Sequence, residues 1–225
     1  MKKILISDLP ILFSKHKRQK NLRLSLKPTG EILLSAPFYC AEKTAVAFAQ
    51  KNIEWIRKNI KKENNHIMFK SGDTVSILGK NYQITLSKEK KSGITVSDDK
   101  LFINAEESFI HRRISNYAKK ELLIYSQKKA EQFCRIINKN YKNISLKNTS
   151  TRWGSCSSQN NLNFCWKIAF APLFVIDYLI AHEVAHLKEM NHSLEFWKTV
   201  ALFNVNQAEA EIWLRKNGKN LMLIK

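Results

Sequence analysis

The segment His182-Glu183-Val184-Ala185-His186 constrains this chain more than any other, because its polar side chains can act together only on a helix. Four residues of α-helix cover about 400° of rotation and about 6 Å of rise, so His182 and His186 project from one face, one turn apart. Two imidazoles placed in this way can bind one metal ion. Glu183 is offset by about 100° from His182, which puts its carboxylate beside the ion, within reach of a bound water.

The flanking residues indicate that this segment is helical. Pro172 suits the first turn of a helix. Apolar residues then recur at spacings of three and four, as a helix with one buried face requires: Leu173, Ile176, Leu179, Ile180, Val184 and Leu187. A core helix with two partly exposed histidines and a solvated glutamate is the alternative interpretation. The glutamate between the histidines and the further histidine six residues on favour a zinc site.

Spacing alone leaves the third metal ligand open. His192 would lie about 120° round a continuous helix from the second histidine, so the chain must leave helical geometry before it. Asn191 suits such a break because Asn tolerates the left-handed conformation, and Ser193 can cap a new helix. That helix would carry Leu194, Phe196, Trp197, Val200 and Ala201. Glu209 and Glu211, on a following helix, are the alternative ligands.

These residues predict hydrolysis of peptide bonds. Neutral imidazoles leave Zn²⁺ its full charge, so a bound water is acidified and a substrate carbonyl is polarised. Glu183 would act as general base, taking the proton of the water and returning it to the leaving amine. A second electrophile would stabilise the developing negative charge, and Arg152, His111 and Tyr178 are the candidates. Tyr178, four residues before His182, is interpreted more readily as a core residue.

Three further elements accompany the metal motif in residues 151–202: Arg152-Trp153-Gly154-Ser155-Cys156, Asn161-Leu162-Asn163-Phe164-Cys165-Trp166, and His192-Ser193 followed by Phe196-Trp197. With them, the sequence resembles the YgjP-like metallopeptidases, relatives of the SprT and WLM zinc proteases. The resemblance extends more weakly to residues 15–37, Trp55 and residues 78–82. It implies that His182, His186 and His192 are the zinc ligands and that Glu183 is the catalytic residue.

The remaining sequence predicts an α+β fold in two parts. Residues 1–105 form a mainly β region with one helix, in which two hairpins turn at residues 28–30 and 79–81. The helix between them is indicated by Val46, Ala49, Ile53, Ile56 and Ile60. Residues 106–225 form a helical, zincin-type metallopeptidase domain with a small sheet. It begins with a long basic helix that Ser108 caps and that ends near Lys139. No internal repeat is visible.

One predicted strand precedes the metal helix. Leu162, Phe164, Trp166 and Ile168 alternate with Asn163, Cys165 and Lys167, which is the period of a half-buried strand. Such a strand could pair with an extended substrate through backbone hydrogen bonds, or it could be an ordinary sheet strand. Trp153 and Trp197 are interpreted as packing walls of the site.

The charge distribution suggests a second kind of partner. The formal net charge is +19. One run of basic residues has no intervening acid, Lys15, Lys17, Arg18, Lys20, Arg23 and Lys27, and a second group opens the long helix, Arg112, Arg113, Lys119 and Lys120. Such groups attract phosphate backbones through counterion release. The same groups could instead be ordinary solvated surface. The alternative function is therefore a basic nucleic-acid-binding protein with a structural or vestigial metal site. The resemblance to SprT-like proteases, distant relatives that digest proteins crosslinked to DNA, implies that it could act on DNA-associated proteins.

The cysteines and the hydropathy of the sequence indicate the cellular location of the protein. Cys40, Cys134, Cys156 and Cys165 have no Cys-x-x-Cys spacing, which indicates a reducing compartment and disfavours a second zinc site. Asp8 and Pro10 interrupt the apolar start too early for a secretion signal, and no apolar run approaches 18 residues. We therefore expect a cytoplasmic protein that acts on protein or peptide substrates. Its oligomeric state is not indicated.

Overall fold

The computed structural model describes residues 2–26, 31–63, 67–87 and 93–225. Lys27, the predicted turn at residues 28–30 and the side chain of Ile60 lie outside this description.

The fold is α+β, as predicted. The strands are β1 (Lys2–Ile6), β2 (Leu9–His16), β3 (Arg23–Leu26), β4 (Ile32–Pro37), β5 (Thr74–Ile77), β6 (Lys80–Leu86), β7 (Gly93–Ser97), β8 (Lys100–Asn104), β9 (Asn143–Lys147), β10 (Gly154–Cys156) and β11 (Asn161–Cys165). The α-helices are α1 (Glu42–Lys51), α2 (Ile53–Glu63), α3 (Ile110–Ile137), α4 (Leu173–Ala185), α5 (Leu194–Leu202) and α6 (Gln207–Met222).

The chain divides into two compact units, residues 1–66 and 67–225. In the first unit the strands are ordered β1-β2-β4-β3. The two outer pairs are antiparallel and the central pair, β2 and β4, is parallel. Two helices, α1 and α2, follow these strands where one helix was predicted, because α1 ends with Asn52 as its C-cap residue. Their buried side chains, which include Ala45, Ala49 and Ile56, belong to the same core as the strands.

The second unit begins with a sheet of the same design. Its order is β5-β6-β8-β7, again with antiparallel outer pairs and a parallel central pair, β6 and β8. A helical segment follows each of the two sheets, α1 and α2 after the first and α3 after the second. The topology is therefore repeated although the sequence shows no repeat.

The change from strands to helices near residue 105 does not coincide with a division between compact units. Val75, Ile84 and Leu101 of the second sheet share one continuous core with Ile110 and Ile114 of α3. Periodicity reports secondary structure, whereas a unit is defined by which side chains share a core, so the division falls earlier, after His66.

The long basic helix is present. A short 3-10 helix at Glu107–Phe109 precedes α3, and Ser108 does not cap it, because the N-cap position is Phe109 and no side chain caps it. The helix ends at Asn138, whose left-handed conformation (φ 51°, ψ 49°) is one that Asn tolerates. None of the helices in the described ranges is both long and apolar enough to cross a membrane.

A third, small sheet has the order β10-β11-β9. The predicted strand near residues 162–168 is β11, which ends at Cys165 and continues as a 3-10 helix, Trp166–Phe170. Because β10 and β9 both pair with β11, the proposed pairing of a substrate with this strand is wrong. Among the described strands, β10 is the edge of this sheet next to α4.

The hairpin of β5 and β6 fixes the start of α4. Leu78 and Gly79 form its turn with φ values of 49° and 76°. The Leu78 backbone N–H donates to Ala169 O at 2.8 Å. A Cβ on Gly79 would lie 3.2 Å from Leu173 N, so the turn approaches the first residue of α4 closely.

The middle of α4 is held by α3. Tyr125 donates a hydrogen bond to Asp177 Oδ1 at 2.5 Å, and Lys129 Nζ lies 2.8 Å from Asp177 Oδ2. Asp177 accepts both bonds from one helix, so α3 sets the position of α4 just before its histidines.

Candidate metal centre

The structure brings His182, His186 and His192 together. One ligand nitrogen from each of the three lies within 4.8 Å of the others. The closest pair, His182 Nε2 and His192 Nε2, is 3.0 Å apart. Two nitrogens on one tetrahedral zinc ion would be about 3.3 Å apart, so this spacing suits a shared ion. Within the described ranges, no other group of three His, Cys, Asp or Glu side chains has this proximity.

The hydrogen bonds of the imidazoles determine which nitrogens can bind. His186 Nδ1 lies 3.0 Å from Glu189 O and, facing a carbonyl acceptor, carries the proton. Its Nε2 therefore keeps a lone pair for a metal ion, the arrangement in which a second partner orients a metal-binding histidine. His182 Nδ1 is buried and has no hydrogen-bond partner among the described residues, so no such bond to Nδ1 orients this ring.

Packing orients His182 instead. The ring of Phe196 is fully buried and lies 4.5–5.0 Å, centroid to centroid, from all three imidazoles. Trp197 lies 6.0 Å from His182 and 5.8 Å from His192. These aromatic residues at the start of α5 form the wall of the histidine cluster, and the prediction that Trp197 packs against the site is consistent with this arrangement.

The chain leaves helical geometry before His192, as predicted. Helix α4 ends at Ala185. The backbone amides of Leu187 and Lys188 then donate hydrogen bonds to the carbonyls three residues earlier, which form one tighter turn. Asn191 does not adopt the predicted left-handed conformation; its side-chain Oδ1 accepts a hydrogen bond from Ser193 N at 3.2 Å. Ser193 caps α5 by accepting from Phe196 N at 3.4 Å.

Burial favours the neutral form of His182 and His186. Desolvation, followed by the neighbouring His186 and His192, lowers the pKa of His182 to about 4. Desolvation also lowers the pKa of His186, against the opposing effect of its bond to the Glu189 carbonyl. Neutral imidazoles are the form that binds metal, so both rings are prepared to act as ligands near neutral pH.

Glu183 is buried beside this cluster, with 5% of its surface exposed. Desolvation raises the pKa of its carboxyl to about 8, and the nearby charge of Arg152 lowers it only in part. The backbone of Gly154 in β10 lies directly against the carboxylate: an added Cβ would meet Glu183 Oε1 and would come within 2.7 Å of Cδ. Only a glycine leaves room for Glu183 here.

A cleft of about 390 Å³ opens next to the cluster. Its lining includes His182, Glu183 and the buried Tyr178, together with Glu211 and Arg215 of α6. Tyr178 donates its hydroxyl to Glu211 Oε1 at 2.8 Å. Burial and this bond raise the pKa of Tyr178, so its hydroxyl stays protonated.

The model of the YgjP-like metallopeptidase domain matches residues 20–217, most of the chain. The chain belongs to the YgjP-like family. It is a metallopeptidase, a hydrolase of protein or peptide substrates that uses a divalent metal ion. No curated protein matches it.

Two crystal structures of metallopeptidase zymogens are similar to parts of the chain. Abylysin of Pyrococcus abyssi is 19% identical, with a TM-score of 0.37, over 42% of this chain and 93% of abylysin. Jannalysin of Methanocaldococcus jannaschii is 20% identical, with a TM-score of 0.36, over 43% of this chain and 96% of jannalysin.

The alternative ligands and the candidate electrophiles occupy different places. Glu209 and Glu211 are not part of the three-histidine group. His111 is buried elsewhere in the second unit, where Nδ1 accepts from Phe69 N and Nε2 contacts Lys225 O at 2.8 Å. Arg152 lines a neighbouring cavity, so among the three electrophile candidates Tyr178 alone lines the cleft that contains His182.

Sequence reasoning missed the roles of Gly154 and Phe196 in this YgjP-like site. Both lie in elements that had been singled out, Arg-Trp-Gly-Ser-Cys and His-Ser-x-x-Phe-Trp, but spacing alone does not show that a glycine makes room for a carboxylate. Trp153 packs against α6, where a Cβ on Gly218 would lie 3.1 Å from its ring. That contact agrees with its predicted packing role.

Proposed function

We propose that this YgjP-like metallopeptidase is a zinc-dependent endopeptidase, with His182, His186 and His192 as zinc ligands and Glu183 as general base. The observation that supports this most strongly is the convergence of three imidazole nitrogens within 4.8 Å beside a buried carboxyl. Three histidine ligands with a fourth position open are the donor set of hydrolytic zinc sites. When bound, zinc would acidify a water and polarise the substrate carbonyl.

Glu183 moves the proton in this proposal. Its burial favours the uncharged acid, while a cation in the cleft and the charge of Arg152 favour the carboxylate. A group balanced between the two forms can accept a proton from the attacking water and give it to the leaving amine. Contact with Gly154 holds the carboxyl in place for both transfers.

The edge strand β10 is the surface against which we expect the substrate to lie. Its partner β11 is paired on both sides, so an extended peptide can add only at an edge of the sheet, and β10 is the edge strand that contacts α4. Gly154 of β10 lines the cleft with His182, which would bring a backbone carbonyl of the peptide near the histidines. Backbone pairing of this kind is indifferent to side-chain identity.

Tyr178 is the electrophile that the geometry favours. Its hydroxyl lines the cleft and, because its pKa is raised, remains a hydrogen-bond donor. In the absence of substrate the hydroxyl donates to Glu211. Redirected to the carbonyl oxygen under attack, it would stabilise the charge that develops there.

The Glu183→Gln variant tests the proposal. Gln preserves the shape of the side chain but cannot accept the proton, so hydrolysis of an unfolded protein should fall by at least about 100-fold. Zinc content should stay at one equivalent. Full activity of the variant, or a wild-type protein without stoichiometric zinc, would contradict the proposal.

Nucleic-acid binding is a second candidate function, favoured by one observation in the first unit. Lys15, Lys17, Arg18, Lys20 and Arg23 are all exposed, and none forms an ion pair with a described residue. In the second group, however, Arg112 lies over the ring of Phe109 and Lys119 over that of Trp166. Binding of a mixed-sequence oligonucleotide should weaken steeply with salt, and a flat salt dependence would exclude the electrostatic basis.

A further inference from the structure

A second cavity, of about 380 Å³, lies beside the cleft that His182 and Glu183 line. The role proposed above for the histidines and Glu183 leaves this cavity without a function. Its polar lining residues are Lys147, Thr149, Arg152, Ser155 and Asn163. They come from β9, β10, β11 and the segments next to them, so the cavity is formed by the small sheet itself.

The charges of this cavity have one sign. Lys147 and Arg152 are its charged residues, and no acidic side chain lines it. Both are exposed, and neither takes part in an ion pair of the described residues. Lys147 has no carboxylate partner among the described residues, and Arg152 acts on the Glu183 carboxyl without forming an ion pair, so both cations can still attract an anion.

Neutral hydrogen-bond donors complete the lining. Ser155, Asn163 and Ser145 lie opposite one another across β10, β11 and β9. Ser145 donates to Asn163 Oδ1 at 2.6 Å, and Asn163 Nδ2 donates to Ser155 Oγ at 3.4 Å. Among the described residues the chain of bonds ends at Ser155, whose hydroxyl can donate to a ligand in the cavity that this residue lines.

The cavity and the catalytic cleft share a wall. Trp153 and Gly154 line both. Successive residues of a strand face opposite sides of a sheet: at Gly154 a Cβ would point at Glu183, whereas Ser155 faces Asn163 on the other side. Neighbouring side chains of a peptide paired with β10 would likewise alternate between the two sides.

We propose that this cavity is a substrate subsite that selects an acidic side chain, Asp or Glu, within about two residues of the scissile bond, since an extended chain advances about 3.3 Å per residue. The proposal rests on the proposed peptidase function and names the class of its substrates. Lys147 and Arg152 bind the carboxylate, and the Ser155 hydroxyl donates a hydrogen bond to it. The net charge of +19 attracts acidic chains wherever their charges lie. The cavity would in addition favour an acidic residue at one fixed position relative to the scissile bond.

A nucleic-acid phosphate is the competing ligand for two cations. The position of the cavity favours a peptide side chain, because its wall is an edge strand and the same wall borders the histidine cleft.

A proteome-derived peptide library tests the subsite, because such a library presents acidic residues at every position around a scissile bond. The zinc-loaded wild-type protein should cut preferentially where Asp or Glu occupies one fixed position near that bond. For a matched pair of peptides with Glu or Gln there, kcat/KM should differ by roughly tenfold, a usual gain from one charge-assisted contact. Equal cleavage of the pair would overturn the subsite while leaving the peptidase function intact.

Variants locate the preference. Lys147→Gln should reduce the Glu-to-Gln ratio toward one, and Lys147→Glu should reverse it in favour of a Lys peptide. Lys142→Gln removes one exposed cation just before β9, outside the cavity, and should keep the wild-type ratio. An unchanged Glu-to-Gln ratio in Lys147→Gln would overturn the proposal. It would also be overturned if the wild type shows no acidic preference and Lys147→Gln loses oligonucleotide binding, because the cavity would then bind phosphate. Failure of the wild type to cut any peptide would instead refute the peptidase function itself.

Discussion

Gly154 lies so close to Glu183 that a methyl group in place of its hydrogen would come within 2.7 Å of the Glu183 Cδ and Cγ atoms. Gly154→Ala must therefore displace the carboxyl. A displacement of about 1 Å at a catalytic group can cost about 100-fold in rate, and we expect kcat/KM to fall by that order. Zinc content should be unchanged, since the three atoms nearest to the added methyl group all belong to Glu183 and none to a histidine. Peptide hydrolysis and metal analysis of the same preparation measure both effects.

Gly72→Ala is the matched control for this substitution. Nothing lies within 4 Å of a Cβ at Gly72, although its φ of 88° makes alanine strained. This variant should lose about 1 kcal/mol of stability and keep its activity. If Gly154→Ala instead keeps the activity of the wild type, the contact with Gly154 does not position the carboxyl of Glu183 for catalysis.

His192 and the two alternative ligands give opposite predictions. Because His192 Nε2 lies 3.0 Å from His182 Nε2, whereas Glu209 and Glu211 are outside the histidine group, His192→Ala should lose most of its zinc. Glu209→Ala and Glu211→Ala should each retain about one equivalent. Metal analysis after dialysis against a weak chelator distinguishes the variants. Zinc loss in Glu211→Ala alone would assign the third ligand to α6.

Two of the three electrophile candidates, Tyr178 and His111, differ in the effect expected of their substitution. Tyr178→Phe removes the hydroxyl that lines the cleft and should lower kcat by roughly 10- to 100-fold with little change in KM. His111→Gln should act on stability instead, because both ring nitrogens of His111 make hydrogen bonds within the core. A kcat for Tyr178→Phe equal to that of the wild type would remove Tyr178 from the mechanism.

The buried carboxyl of Glu183 predicts how the stability of the metal-free protein changes with pH. Its pKa is raised from 4.5 to about 8 in the folded protein, so between these values the folded state binds more protons than the unfolded chain. Stability therefore falls as pH rises through this range. The lowered pKa of His182, about 4 against 6.5, acts in the opposite direction, but only below pH 6.5.

Between pH 6.5 and 8 the effect of Glu183 can be isolated by comparison with Glu183→Gln. We expect the chelator-treated wild type to lose about 1–2 kcal/mol relative to this variant over that interval. Urea denaturation at several pH values measures the difference, and other titrating groups cancel because both proteins share them. Parallel pH profiles for the two proteins would contradict a raised pKa at Glu183.

Local rules account for much of what the sequence could predict. The spacing of His182 and His186 places them on one face of α4 whatever surrounds the helix, and the need to leave the helix before His192 follows from the same geometry. The capping role of Ser193 is equally local. These features depend on a few neighbouring residues, so a pattern is sufficient to predict them.

Contacts between distant segments explain what could not be predicted. Whether β11 is an edge or a central strand depends on β9 and β10, and the division after His66 depends on which strands share the core of α3. Gly154 and Glu183 are 29 positions apart, and no periodicity relates them. The mode of chain reversal at Asn191 was also missed, because a side-chain hydrogen bond to Ser193 replaces the left-handed backbone.

X-ray absorption at the zinc edge of the purified protein tests the central claim most directly. If His182, His186 and His192 are the ligands, the protein contains one zinc per chain, with three imidazole nitrogens and the remaining oxygen ligand or ligands at about 2.0–2.2 Å. The spectrum of Glu183→Gln should show the same three imidazoles. A sulfur ligand near about 2.3 Å, fewer than three imidazoles, or zinc far below one equivalent would contradict the account.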